Sequence, residues 1–416
     1  MTRFLKYSPF ALLAAFLSFH PIFATEIPHG DPAELGFSTE GLAKIQPAMQ
    51  ALVDSGKFAG VLTLIARKGK IMHFETAGLR DRESNKPMTE DTLFRIYSMT
   101  KPVTSVAIMM LYEEGKLKLD DPVSKFIPEF ADTKVYTGGG TENPILTPLE
   151  REITIADLLS HTSGLTYGIF GQTSVDTLYR IANLYASNSN VKYAQKVAQL
   201  PLRFQPGTRW LYSVATDILG SVVEVASGMS LGEFFSQRIF VPLEMVDTSF
   251  YVPEEKRDRL ATVYGKDDEG NLEARSLRSN TRRDARESGG GGLVGTARDY
   301  LRFSQMLLNG GELYGTRILK PETIQLMTVN HLPETARYRH RQRKSDGFGY
   351  GFSVIVDETE TAWEDRNGTY YWSGIAKTHF WIDPQNEMIS MVWTQLRGSG
   401  NITRSFQPLV YKALVE

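Results

Sequence analysis

Strand-forming sequence is confined to the two ends of this chain, and that separation dictates its architecture. Two β-rich runs, Gly60-Val-Leu-Thr-Leu-Ile-Ala-Arg67 and Lys70-Ile-Met-His-Phe-Glu-Thr-Ala77, flank Lys68-Gly69, which is the chemistry of a tight hairpin. Residues 98 to 330 read mainly as helices. Strand signals return only at 351–356, 370–372, 379–382 and 388–394, before a closing apolar helix over 405–415. A lone hairpin is marginal in water, so the first two strands must find partners among the last ones. Short connections make those last strands antiparallel. The predicted class is therefore α+β, with an antiparallel sheet formed by both chain ends and flanked by helices. Residues 25–97 and 335–416 build the sheet domain, and 98–334 form an inserted, mainly helical region.

Within this frame, Leu42, Ile45, Met49 and Leu52 predict an amphipathic helix over 40–55, kinked at Pro47. Helical periodicity also covers 103–114, 155–159, 191–200, 215–226, 231–238 and 297–308. The stretch Asp267 to Gly292 mixes charge clusters with Gly289-Gly290-Gly291-Gly292 and reads as the most flexible part of the chain.

Composition removes whole classes of function. With 46 Lys+Arg against 48 Asp+Glu there is no basic field for nucleic acid or an anionic membrane. The absence of cysteine excludes disulfides, thiol nucleophiles and Cys-ligated metals. Seven histidines form no HxH or HExxH pair, which argues against a metal centre, and no phosphate-cradling glycine loop opens a helix. At the N-terminus, Arg3 and Lys6 precede the apolar run Pro9 to Phe19 and Ile22-Phe23-Ala24. This reads as a signal peptide cleaved after Ala24, predicting a periplasmic or secreted protein with no stable membrane anchor. Removal of residues 1–24 shifts the net charge from −2 to −4.

Three serines could serve as nucleophiles. Gly228-Met-Ser230-Leu-Gly232 has the form of a nucleophile elbow, but it follows a helix rather than a strand, and Ser230 with Glu233 fits a capping box better. Ser189-Asn-Val-Lys192 lies in polar sequence and reads as a helix cap. Ser98-Met-Thr-Lys101 instead opens the apolar helix that begins at Pro102. Three residues apart on one helical face, the Ser98 hydroxyl and the Lys101 amine come within reach. Burial against that helix favours a neutral, proton-accepting amine, and the helix dipole favours a developing oxyanion. Two further segments could converge there: Tyr212-Ser213 after a Pro206-Gly207 turn, and Tyr371-Trp372-Ser373-Gly374 in strand context.

In this order and spacing the segments resemble the serine β-lactamase and penicillin-binding-protein superfamily. Ser98-Met-Thr-Lys101 looks like its S-x-x-K, Tyr212-Ser213-Val214 like its Y-x-N, and Trp372-Ser373-Gly374 like its K-T-G. The resemblance is greatest to class C β-lactamases and to the carboxylesterases called family VIII. It implies a β-lactamase/transpeptidase-like fold and acyl transfer through a covalent serine ester, with no cofactor. Ser98 would be the nucleophile, Lys101 and Tyr212 would share the base role, and the backbone N–H groups of Ser98 and Ile375 would form the oxyanion hole. Tyr371, Trp372, Ser373 and Gly374 would contact substrate. Val214 stands where β-lactamases carry Asn, and Trp372 where they carry Lys, so a β-lactam or peptide loses two contacts while an uncharged ester loses little. The expected substrate is thus a small ester, with β-lactam hydrolysis as a side activity. A β-lactamase or D,D-peptidase, and a non-catalytic binding protein of the same fold, are the alternatives. Lys377 reads as a solvated charge, and the basic cluster 337–344 as an exposed loop.

Overall fold

The structure, a computed structural model, describes residues 26–276, 279–337, 344–361 and 365–415. The expected signal peptide and most of the 337–344 cluster lie outside the described residues. The N-terminal part contains α1 (Thr39–Leu42) and α2 (Ile45–Asp54), then β1 (Gly60–Arg67), β2 (Lys70–Asp81), β3 (Lys86–Pro87) and β4 (Phe94–Arg95). In the middle come α3 (Thr100–Glu113), β5 (Lys134–Gly139), β6 (Pro144–Pro148), α4 (Ile155–Leu159), α5 (Ser174–Ile181), α6 (Asn190–Ala198), α7 (Ala215–Ser227) and α8 (Leu231–Phe235). They are followed by β7 (Tyr264–Lys266), β8 (Leu272–Ala274), β9 (Val294–Gly295), α9 (Ala297–Leu308), β10 (Glu312–Leu313), β11 (Thr316–Arg317), α10 (Pro321–Met327) and α11 (Glu334–Arg337). The chain closes with β12 (Asp346–Phe348), β13 (Ser353–Ile355), β14 (Tyr370–Ser373), β15 (His379–Asp383), β16 (Met388–Trp393) and α12 (Thr403–Ala413).

Eight strands form one sheet in the order β12-β13-β14-β15-β16-β1-β2-β3, antiparallel throughout. The two chain ends meet where β1 pairs with β16, from Leu62 opposite Trp393 to Arg67 opposite Met388. The β1–β2 turn works because Lys68 and Gly69 both adopt left-handed backbone, φ 50° and 74°, which matches the twist of the flanking strands.

Alternation along the central strands buries both faces. Leu62, Leu64, Ile389, Met391 and Trp393 enter the larger core under α3, α7 and α9. Val61, Ile65, Met388 and Val392 enter a smaller core under α1, α2 and α12. The helix α3 is buried from Thr100 to Leu111 on every side, the signature of a helix at the centre of a core.

Along the chain, several elements differ from the sequence reading. The helix expected over 40–55 is broken at Ala43-Lys44, and Pro47 sits in the first turn of α2, where its missing N–H costs nothing. The inserted region also contains two-stranded ribbons, β5–β6 among them. The glycines 289–292, expected to be mobile, are packed: a Cβ on Gly289 would lie 2.9 Å from Thr216 O, and one on Gly290 would collide with Asp217.

Candidate active site

Ser98 lies in a 3₁₀ turn, Tyr97–Met99, that runs directly into α3. Tyr97 holds left-handed backbone, φ 45°, a conformation a bulky residue adopts only when its surroundings impose it. They do: Ile96 N–H donates to Leu293 O (3.1 Å), and the Tyr300 hydroxyl donates to Met99 O (3.0 Å). Ser98 remains half-buried at the floor of a cleft of about 780 Å³.

Lys101, one turn on, is 1% exposed. Its Nζ has three neighbours: Ser98 Oγ at 3.4 Å, Tyr167 Oη at 2.9 Å and Gly290 O at 2.6 Å. A carbonyl can only accept, so Gly290 takes one N–H. If the Tyr167 oxygen takes a second, a neutral amine turns its lone pair toward Ser98 Oγ. Burial, reinforced by Tyr212 and Asp217, pushes the Tyr167 hydroxyl well above the ordinary tyrosine range, so it stays protonated.

Tyr212 is set in a ring of aromatics. His161, Tyr167 and Trp372 lie 5.0, 5.2 and 5.3 Å from it, Trp210 stacks at 6.2 Å, and Lys101 Nζ sits 4.7 Å from its ring centre. These rings fix its direction, while its hydroxyl bonds to none of the described residues. His161 backs the ring as a neutral imidazole: burial, and then the charge of Lys101, hold it well below the ordinary histidine range. Its Nδ1 lies 3.2 Å from Ser213 Oγ.

A buried carboxylate closes the back wall. Asp217 on α7 accepts from Arg286 (2.9 Å) and from Ser288 Oγ (2.6 Å). Burial alone would raise its pKa, but the charge of Arg286, the Ser288 hydrogen bond and the field of Lys101 outweigh it and hold Asp217 below the usual aspartate value. This pair anchors the glycine run, whose carbonyls accept: Gly290 O from Lys101 Nζ, and Gly289 O from Thr104 Oγ1 (2.7 Å).

On the sheet side, Tyr371, Ser373, Gly374 and Ile375 line the cleft. The turn after β14 closes by Gly374 N–H to Thr378 O (2.8 Å), leaving the Ile375 N–H without a partner among the described residues. Trp372 does not line the cleft. It is 1% exposed and packs beneath Tyr212 and Phe348, because alternation in β14 turns it to the opposite face from Tyr371 and Ser373. It supports Tyr212 and does not reach substrate space. Lys377, expected to be solvated, is half-buried and lines the cleft. Val214 is buried at the start of α7, outside the cleft.

The other two serines are caps. Ser230 accepts from Glu233 N–H while Glu233 reaches back to Ser230 N–H, and Ser189 accepts from Lys192 N–H. Tyr167, Asp217 and Arg286 went unseen in the sequence. Tyr167 stands 66 residues from Lys101, a distance at which no spacing rule operates.

Comparison with known proteins decides the lineage. The family model described as Beta-lactamase matches residues 45–405. The chain belongs to the beta-lactamase family. An uncharacterized protein of Mycobacterium tuberculosis is 34% identical across 84% of this chain and 89% of its own length. Esterase EstB of Burkholderia gladioli is 30% identical across 85% and 90%. Among solved structures, EstCE1, described as a hydrolase with promiscuous acyltransferase activity, superposes with a TM-score of 0.78 at 30% identity, covering 91% of this chain and 99% of its own. The fold expected from the sequence motifs, a β-lactamase/transpeptidase-like sheet with flanking helices, is the one found.

Proposed function

We propose that this serine hydrolase of the beta-lactamase fold is an exported carboxylesterase that works through an acyl-serine intermediate. The observation that carries the reading is the buried Lys101 amine, 3.4 Å from Ser98 Oγ at the floor of an open cleft. Lys101, with Tyr212 beside it, takes the hydroxyl proton as Ser98 Oγ bonds to the ester carbonyl carbon. The carbonyl oxygen becomes an oxyanion, held by the backbone N–H groups of Ser98 and Ile375. As the oxyanion collapses, the C–O bond to the alcohol breaks and the proton passes to the leaving alkoxide, with Tyr212 as donor. Water then repeats the sequence on the acyl-serine and restores Ser98. Val214 and Trp372 stand where β-lactamases carry the amide of the second motif and the cation of the third, and both are buried outside the cleft, which favours esters over lactams.

Exposed Ile169 and Phe170 at the cleft mouth favour a second acceptor, an apolar alcohol competing with water. EstCE1, with its acyltransferase activity, supports that extension.

The test is hydrolysis of p-nitrophenyl acetate, butyrate and laurate beside nitrocefin, by wild type and Ser98→Ala. Ester turnover that vanishes in the variant, with an acyl adduct on Ser98 by mass spectrometry, is the expected result. Ester activity surviving in Ser98→Ala, or nitrocefin turnover exceeding ester turnover, would overturn the reading. Export is tested by N-terminal sequencing of protein recovered outside the cytoplasm, which should begin at Thr25.

A further inference from the structure

The Tyr212 hydroxyl has no hydrogen bond among the described residues, so its direction depends on what holds the residues around it. They are held from His161. The chain leaves α4 through Ser160 into His161, which has left-handed backbone, φ 57°, a conformation that most side chains avoid and histidine accepts more readily. That turn sends two polar groups of one residue to the same segment. The His161 carbonyl accepts the Leu211 N–H (2.9 Å), and its Nδ1 lies 3.2 Å from Ser213 Oγ. The two bonds fall on the residues immediately before and after Tyr212, and between them the imidazole ring lies 5.0 Å from the phenol ring. The chain leading to Tyr212 is tied to the same stretch, with Arg203 N–H donating to Gly164 O (2.8 Å) and Gly207 N–H to Thr162 O (2.9 Å).

The protons of this clamp have one arrangement that leaves nothing unpaired. Ser213 Oγ accepts the Ala215 N–H (3.3 Å) at the start of α7, and its other partner among the described residues is His161 Nδ1. The Ser213 hydroxyl therefore donates to Nδ1, which puts the imidazole proton on Nε2 and requires a neutral ring. Burial and the charge of Lys101 favour that same form. Both members are sealed from water, His161 at 1% exposure and Ser213 at 0%.

We propose that His161 is a positioning residue: through Leu211 and Ser213 it aims the Tyr212 hydroxyl at the leaving-group oxygen, and so sets how well the enzyme cleaves esters whose alcohol cannot depart without a proton. In that step the electron pair of the breaking C–O bond goes to the alcohol oxygen, which takes the Tyr212 proton. The proton that Lys101 took from Ser98 then restores the phenol. This deepens the esterase reading and rests on it.

Two esters of one acid test the proposal. Butyrate leaves p-nitrophenyl butyrate with a phenolate that needs no proton, and leaves ethyl butyrate with an alkoxide that does, while kcat/KM reports acylation for both. In His161→Phe, which keeps a flat ring and removes the Nδ1 bond, kcat/KM should fall at least about fivefold more for ethyl butyrate than for p-nitrophenyl butyrate. Ser213→Ala should shift the ratio in the same direction. His161→Asn, which suits left-handed backbone and returns a polar atom near the Nδ1 position, should restore most of it. In a Tyr212→Phe background, His161→Phe should leave the ratio unchanged, because the hydroxyl it aims is gone. A loss of folded protein lowers both esters alike and does not move the ratio. Equal losses on the two esters, a ratio that His161→Phe still shifts in the Tyr212→Phe background, or a wild type that cleaves the nitrophenyl ester and not the ethyl ester would overturn the proposal. Should wild type turn over neither ester, the esterase reading fails. The clamp is then judged alone by crystal structures of Ser98→Ala with and without His161→Phe. A Tyr212 hydroxyl displaced by about 1 Å or more supports it, and an unmoved hydroxyl removes it.

Discussion

Tyr167 gives the Lys101 amine a second oxygen to work against, and its role is separable from its bulk. Tyr167→Phe keeps the ring that packs on Tyr212 and Phe170 but removes the oxygen 2.9 Å from Nζ. Losing one buried hydrogen bond to a charged or proton-exchanging group is worth ~1.5–3 kcal/mol, so kcat for a short ester should fall about 10- to 100-fold with little change in KM. A kcat equal to wild type would show that the hydroxyl is idle. Ser98, Lys101 and Tyr212 were legible because each belongs to a short local pattern whose geometry a single turn or loop fixes. Tyr167 was not, since only the folded chain brings it to Lys101. Trp372 was misassigned although the signal that corrects it was present: in a strand its neighbours Tyr371 and Ser373 point one way and Trp372 the other.

At the scale of elements, the glycine run 289–292 shows where composition misleads. Glycine serves mobility and close approach equally well, and only the neighbours say which. Here the run is clamped between α3 and α7 by the Arg286–Asp217 pair, and its carbonyls orient Lys101 and Thr104. Arg286→Met should free that clamp and leave a buried carboxylate unpaired, costing about 3–5 kcal/mol in denaturant melts at pH 7. The pH dependence has a definite direction. Folded Asp217 titrates below the unfolded value of about 4, so in wild type the pair's stabilisation is complete above that pH and is lost as pH falls through the folded value. Without Arg286, burial raises the folded value instead, and the variant should recover stability relative to wild type between pH 7 and pH 5. A stability gap that stays constant or widens over that range would show that Arg286 is not what holds Asp217 ionised. Helix α5 escaped the sequence reading, yet its start was written there: Thr173 and Asp176 form a reciprocal cap that a scan for that pattern would have found. The ribbon β5–β6 was hidden for a different reason, since its glycines and prolines break the alternation that marks a strand.

For the whole molecule, the joining of the two chain ends was readable because a hairpin without partners cannot stand alone. The decisive seam is β16, paired with β15 on one side and β1 on the other. A chain ending at Gln385 keeps the Ser98 segment but loses this strand, α12 and the Gln395 clasp on Arg95. It should show no cooperative thermal transition by circular dichroism and no ester turnover. A truncated chain that melts cooperatively and hydrolyses esters would mean that the sheet does not need its seam. The position of β16 also sets a timetable. Synthesis runs from the N-terminus, so Arg67 must wait for Met388, and the mainly apolar strand Gly60–Arg67 stays with one open edge until a strand more than 300 residues further on has been made. An unfinished chain is therefore both sticky and inert. Its hydrolytic chemistry assembles only when β16 takes its place beside β1.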